Sequence, residues 1–293
     1  MKQLFKMRIY SVLGSLILSC ILLYLLGIGY IYFYQERFVF FPSRLNQDYP
    51  FQFRSDFIEN TIELSSRAKI NYLVFNSKSA KGVILYFHGN AGSLKDWGWV
   101  AAEIAQKTGW CVWIMDFPGY GKSSGPLPKN EKVLLEMGNV MRAQILKERP
   151  DLPLVLYGRS IGSGIAAALA VEKPVSGLIL ETPYRSLAKL GHEIYPFFPE
   201  SISRFDFDNE RSLKSLDSTP VLIFHGSNDR IIPQEHGKLL SEIAGQSQFI
   251  SIANGDHNNL SDFPEYWSAL INFLEPLSGE DYKEISRNSR VNS

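Results

Sequence analysis

The stretch 157–164, YGRSIGSG, holds two overlapping patterns. Gly158, Ser160 and Gly162 give G-x-S-x-G, the tight turn that lifts a serine nucleophile above the end of a strand. Gly158, Gly162 and Gly164 also give G-x-x-x-G-x-G, a spacing like that of loops that admit a dinucleotide pyrophosphate. Glu181, at the end of the next apolar run, stands near where a ribose-binding acid would be. Two observations oppose the cofactor reading. A nucleotide fold opens with this turn on its first strand, whereas here several strand-like runs come earlier. No tyrosine has a lysine four residues on, the catalytic pair of the short-chain dehydrogenases that use a glycine loop of this spacing. A second phosphate-loop candidate, FPGYGKSSG at 117–125, puts aspartate, Asp116, where a P-loop needs its first glycine.

A serine hydroxyl is a weak nucleophile, so it needs a base, and the base needs an orienting acid. In the elbow architecture these should follow in the order Ser, Asp, His, each from a loop after a later strand. VLIFHGSND is a strand-like run whose loop ends at Asp229, and ISIANGDHNNL is a last run whose loop holds His257. Ser160, Asp229 and His257 are therefore the candidate nucleophile, acid and base. The oxyanion donors should be the N–H of Ile161 and an N–H from the loop of LYFHGNAG, that of Asn90 first and that of Ala91 as the alternative.

Other titratable residues have plainer readings. His88 and His225 each precede a glycine at a strand end and read as structural. His236 at a helix start and His192 read as packing or solvated residues. Asp256 shares a loop with His257 and is poorly placed to orient it. Glu181 is a fallback acid, and Asp116 a shaper of its glycine-rich loop. Cys20 and Cys111 read as packing residues with no disulfide between them.

These residues need a layered scaffold. Apolar runs at 82–87, 110–115, 154–157, 175–180, 221–224 and 249–252 read as strands. Helical patterns lie at 97–107, 131–148, 161–171, 234–244 and 266–274. Strands at 57–64 and 68–75 read as a hairpin ahead of them. Continuous apolar strands alternating with helices mean a parallel sheet covered on both faces. Segment 182–218 breaks the alternation with six aromatic residues, Tyr184, Tyr195, Phe197, Phe198, Phe205 and Phe207. It reads either as a small lid or as a core-packed excursion.

From 9 to 35 no residue is charged, which exceeds the roughly 20 apolar residues that cross a bilayer and the roughly 7–15 of a cleaved signal. Tyr30, Tyr32, Phe33 and Tyr34 cluster at its far end like an interfacial belt. Lys2, Lys6 and Arg8 precede it, which puts the N-terminus in the cytoplasm and the remaining chain on the other side. The expected organisation is an anchor at 1–36, a linker at 37–56, a catalytic domain at 57–276 with its insertion, and a polar tail at 277–293. Lys plus Arg equals Asp plus Glu at 30 each, which gives no support to a nucleic-acid partner.

With FHGNAG, DFPGYGKSSG, YGRSIGSG, PVLIFHGSNDRIIP and GDHNNL in this order, the chain resembles the α/β-hydrolase-fold serine hydrolases. The likeness spans about 57–275. Its wording is similar to the membrane-anchored, small-lidded abhydrolase-domain group, which includes protein-depalmitoylating thioesterases. Those are anchored through a cysteine cluster, which this chain replaces with an apolar segment. The resemblance implies an α/β fold with a mostly parallel central sheet flanked by helices, and Ser160, Asp229 and His257 as the triad. The expected activity is cleavage of a carboxylic ester or thioester, acyl-bearing or lipid-like, with no metal or organic cofactor. The bilayer would be a partner through the N-terminal helix. A serine peptidase on the same fold and a non-catalytic tethered binding protein are the alternatives.

Overall fold

The structure is a computed structural model that describes residues 1–278 apart from 77, 79 and 217. The polar tail expected from 277 onward lies almost wholly outside the described residues. In chain order the elements are α1 (Lys2–Phe33), α2 (Glu36–Val39), β1 (Phe41–Pro42), β2 (Phe57–Glu63), β3 (Lys69–Phe75), β4 (Val83–Phe87) and β5 (Ala91–Gly92). Then come α3 (Leu94–Thr108), β6 (Cys111–Met115), α4 (Lys132–Glu148), β7 (Leu154–Arg159), α5 (Ile161–Glu172) and β8 (Gly177–Glu181). The chain finishes with α6 (Leu187–Ile194), α7 (Asn209–Lys214), β9 (Val221–Gly226), α8 (Glu235–Ile243), β10 (Ser247–Ile252) and α9 (Pro264–Leu274).

Eight strands form one sheet in the order β10-β9-β8-β7-β4-β6-β3-β2. The six strands from β10 to β6 are parallel, and β3 and β2 join antiparallel at one edge. The parallel strands are buried throughout except β10 at the other edge, as continuous apolar runs require when helices cover both faces. Alternation along each strand feeds two cores. In β4, Val83, Leu85 and Phe87 enter one core with α4 and α5, while Ile84 and Tyr86 enter the other with α3 and α9. This is the α/β-hydrolase fold.

Several boundaries differ from the sequence expectation, each for a local reason. α3 begins at Leu94 instead of 97, because Ser93 and Asp96 form a reciprocal capping box. Strands β7, β8 and β9 run on to Arg159, Glu181 and Gly226, since polar residues at their ends are paired and buried. Residues 37–56, expected as a linker, lie on the domain: β1 pairs parallel with β5, and Phe40 and Phe51 are buried. The insertion divides between the two readings. Tyr184, Phe205 and Phe207 are buried, whereas Tyr195 and Phe197 project. α1 is exposed over most of its length, with Ile28, Gly29 and Ile31 half-buried, and is long and apolar enough to cross a membrane.

The P-loop-like segment turns out to be a brace. Lys122 pairs with Glu59 at 2.8 Å and lies over the Phe51 ring. Ser123 Oγ accepts from the Asn71 N–H and donates to the Asp116 carbonyl. Asp116 accepts from the Leu94 N–H at 2.9 Å, and burial pushes its carboxyl up to about 7, against that hydrogen bond. An unfolded aspartate titrates near ~3.9. The folded state therefore holds the proton more tightly, and the stability this confers is full below about pH 4 and lost as pH rises to about 7. Asp116→Asn removes that dependence. Urea melts from pH 4 to 8 should show the stability of the variant relative to wild type rising up to about pH 7 and level above it.

Candidate active site

The site stands at the C-terminal edge of the sheet, where β7 turns into α5. Ser160 occupies the turn with φ 53 and ψ −118, a conformation that costs about 1–3 kcal/mol for a residue with a side chain. The surrounding chain imposes it. The Ser160 N–H donates to the Glu181 carbonyl, and the Ser160 carbonyl accepts from Ser163 through both N–H and Oγ. A Cβ on Gly158 would sit 2.3 Å from the Gly162 oxygen, and one on Gly162 would sit 2.2 Å from the Phe87 oxygen. Both glycines of G-x-S-x-G are thus required by backbone meeting backbone. Gly164 meets the insertion instead, with Tyr184 and Phe207 filling the place of a side chain.

The acid and base loops follow β9 and β10, which pair in parallel. His257 Nδ1 donates to Asp229 Oδ2 at 2.8 Å. Asp229 Oδ1 accepts from the N–H groups of Ile231 and Ile232, each at 2.9 Å. Burial alone would raise the Asp229 carboxyl; hydrogen bonds from His225, His257 and the Ile232 N–H outweigh it and hold the carboxyl well below the usual range. An ionised acceptor at Nδ1 fixes the His257 tautomer and leaves Nε2 as the free basic nitrogen. The two loops also clasp through backbone: Asn228 N–H donates to the Gly255 carbonyl, and a Cβ on Gly226 would sit 2.3 Å from that oxygen.

Arg159, the unspecified residue before the serine, joins these parts. Its Nε lies 3.2 Å from Glu181 Oε1, and its Nη2 donates to the His257 carbonyl at 3.0 Å and to Asn258 Oδ1 at 3.1 Å. The Trp97 ring covers the guanidinium at 4.9 Å. Burial disfavours its charge, and Glu181 more than offsets that. Ser160 Oγ and His257 share no direct hydrogen bond among the described residues; the link between them runs through Arg159, and catalytic contacts commonly tighten on substrate binding. Sequence reasoning missed this residue. The available signal was a charged side chain at the end of an otherwise apolar strand.

The oxyanion-loop candidates lie beside the elbow, with Ser160 Cβ 4.0 Å from where a Gly89 side chain would begin. This loop is held by the chain leaving α1. Phe41 N–H and Tyr120 Oη both donate to the Asn90 carbonyl, at 2.8 and 2.6 Å, while Asn90 Nδ2 donates to the Val39 carbonyl. These ties orient Asn90 and were not legible beforehand. His88 stacks on Phe117 at 4.0 Å, its Nδ1 is 2.6 Å from the Gly89 oxygen, and burial lowers it to about 4, so it is a neutral packing group.

The remaining candidates fall outside the reacting geometry. Glu181 accepts from Tyr157 Oη at 2.6 Å and pairs with Arg159, so it is not at the histidine ring. Asp256 shapes its own turn by accepting from the Asn258 N–H. His236 is buried between the Arg185 N–H and Glu193, and His225 Nε2 contacts the Ile232 oxygen at 2.8 Å and Asp229 at 3.4 Å. Cys20 on α1 and Cys111 in β6 are both free thiols. Arg159→Met leaves Glu181 buried without its partner and should lower unfolding stability by about 3–5 kcal/mol. Adding Glu181→Gln should restore part of that loss in chemical denaturation, because the stranded charge is gone.

Comparison with known proteins agrees with this architecture. Residues 82–202 match the family model described as alpha/beta hydrolase fold. Protein bem46 of Schizosaccharomyces pombe is 29% identical over 291 residues, covering 92% of this chain and 94% of the relative. The alpha/beta hydrolase domain-containing protein 17B of Homo sapiens is 27% identical over 202 residues, 68% of each chain. Among solved structures, an esterase of Pyrococcus furiosus superposes with a TM-score of 0.64 at 16% identity, covering 82% of this chain and 99% of its own. The protein carries an α/β-hydrolase domain, with bem46 and the 17B-type abhydrolase-domain proteins among its homologues.

Proposed function

We propose that the protein is a membrane-anchored serine hydrolase that cleaves carboxylic ester or thioester bonds through an acyl-enzyme. The observation that carries this reading is the Asp229–His257 pair, joined at 2.8 Å and tied through Arg159 to the strained turn that bears Ser160. In the first half-reaction Ser160 Oγ attacks the acyl carbonyl and passes its proton to His257 Nε2. His257 then protonates the leaving alcohol or thiol, and the C–O or C–S bond breaks. In the second half-reaction His257 draws a proton from water, the resulting nucleophile attacks the acyl-serine, and Ser160 leaves with its proton restored. Asp229 holds the imidazole and offsets its transient charge without taking a proton.

The N–H groups of Ile161 and Asn90 receive the oxyanion. Ile161 opens α5, so its N–H also carries the positive end of the helix dipole. α1 is the anchor, with the N-terminus cytoplasmic and the domain beyond the membrane. The substrate is an acyl-bearing or lipid-like molecule at that surface, a reading supported by the anchor and by the aromatic insertion beside the elbow.

Fluorophosphonate labelling should modify wild type and leave Ser160→Ala unmodified; equal labelling of both would contradict the assignment. Asp229→Asn should lower kcat on a soluble acyl ester by roughly 10⁴, the scale expected when the imidazole is left in the wrong tautomer. The position of an N-terminal truncation should matter as well. A chain starting at residue 34 keeps the contacts of Val39 and Phe41 to Asn90 and should hydrolyse soluble esters. A chain starting at residue 44 loses them and should show a lower kcat.

A further inference from the structure

The insertion between β8 and β9 touches α1 at two depths. At the upper level Arg204 Nη1 donates to the carbonyls of Tyr32 and Phe33, each at 3.4 Å, where a cation suits the unsatisfied end of the helix. Gln35 is bound there too: Nε2 donates to the Ile202 carbonyl and Oε1 accepts from the Arg204 N–H at 2.6 Å. The lower contact is far down the helix, where Tyr24 Oη donates to the Phe197 carbonyl at 2.9 Å. Tyr24 lies about two and a half turns before Phe33, or about 14 Å along the axis.

Around that lower contact the insertion turns its apolar side chains outward. Ile194, Tyr195 and Phe197 are 50%, 68% and 83% exposed. Single exposed apolar residues are ordinary, but three within four positions at the tip of a projecting turn form a patch that calls for a covering. The polar groups nearby are turned elsewhere. Glu193 reaches back to His236 at 2.9 Å, and His192 Nδ1 is 2.9 Å from the Phe198 carbonyl inside the turn. Glu200 opens the short 3₁₀ turn that climbs back toward Gln35.

Depth identifies what covers this patch. The charge-free run is 9–35, and the hydrocarbon core takes about 20 helical residues. Every window of about 20 residues drawn from that run contains Tyr24. A group hydrogen-bonded to Tyr24 therefore lies at hydrocarbon depth wherever the helix is positioned along its axis. Arg204 and Tyr32, at the upper contact, then fall where interfacial cations and aromatics belong.

We propose that the tip of the insertion, residues 194–198, is a second membrane-binding surface that dips into the acyl region of the leaflet beside α1. This rests on the reading of α1 as a transmembrane span. The two contacts clamp the domain at a fixed height and tilt. The insertion's other flank, through Tyr184 and Phe207, packs on α5 at Gly164, one turn past Ser160. The same element thus connects the leaflet to the helix that carries the elbow.

Site-directed spin labelling tests this in the full-length chain reconstituted into phosphatidylcholine vesicles. Cys20→Ser removes the exposed native thiol, while Cys111 is buried. Nitroxides are then placed singly at Phe197→Cys, at Tyr195→Cys, at Ile17→Cys within the span, and at Lys147→Cys near the opposite edge of the sheet. Power saturation compares collisions with oxygen, which concentrates in lipid, and with a water-soluble nickel chelate. Positions 17, 195 and 197 should favour oxygen several-fold over position 147. Lipid exposure at 17 with chelate access at 195 and 197 would overturn the docking surface and leave the span intact. Chelate access at 17 itself would overturn the span, and the proposal with it.

Discussion

The arrangement depends on one close approach, the backbone of the β7–α5 turn pressed against the end of β4. Gly162 lies where any side chain would strike the Phe87 oxygen, and Gly158 where one would strike Gly162. That contact forces Ser160 into its left-handed conformation, because the chain has no room to turn more gently. It also fixes the distance between the serine and the loop after β4. The oxyanion candidates and Ser160 are therefore positioned by the same contact. The cost of the strained turn is met by the sheet around it, with β4 and β8 flanking β7 on either side.

Arg159 extends this control to the base. A buried ion pair is a poor source of net stability, since desolvation offsets much of the attraction. Its value here is geometric. One planar group, fixed by Glu181 and covered by Trp97, spans from the strand before the serine to the carbonyl of the histidine. Glu181 is held in turn by Tyr157, which also meets Tyr266 of α9 at 2.7 Å. The histidine loop is thus registered against the elbow through a buried, hydrogen-bonded cluster.

Part of this was legible in the sequence for clear reasons. Ser160, Asp229 and His257 stand out because each sits in a loop directly after an apolar run, and strand order then brings the loops to one edge. The structure joins the second and third directly, and ties them to the first through Arg159. What escaped the sequence reading came from pairings that no local pattern encodes. The contacts of Val39 and Phe41 with Asn90 join residues about fifty apart through short backbone ties, and a two-residue strand has no periodicity to detect. The start of α3 lies three residues before the apolar pattern begins, because the capping box of Ser93 and Asp96 sets it. The insertion was ambiguous because its aromatics do both things, burying Phe205 and Phe207 while exposing Phe197.

The strap from α1 reaches the candidate oxyanion loop over a short path. Only seven residues separate the last residue of α1 from Phe41, so the loop lies within about 26 Å of the helix end even if that chain were fully extended. The path is folded through α2 and is shorter. A helix fixed in a bilayer and joined this closely restricts how far the elbow can stand from the membrane surface. It also ties the strap to the candidate oxyanion loop, since the Phe41 N–H donates to the Asn90 carbonyl, whose peptide unit carries the N–H of Ala91. Pinning that oxygen orients the Ala91 N–H directly and the Asn90 N–H only across the Asn90 Cα. Tyr120 Oη repeats that restraint on the Asn90 carbonyl from the loop after β6. α1 therefore bears, through eight residues of backbone, on the loop that holds the candidate oxyanion donors.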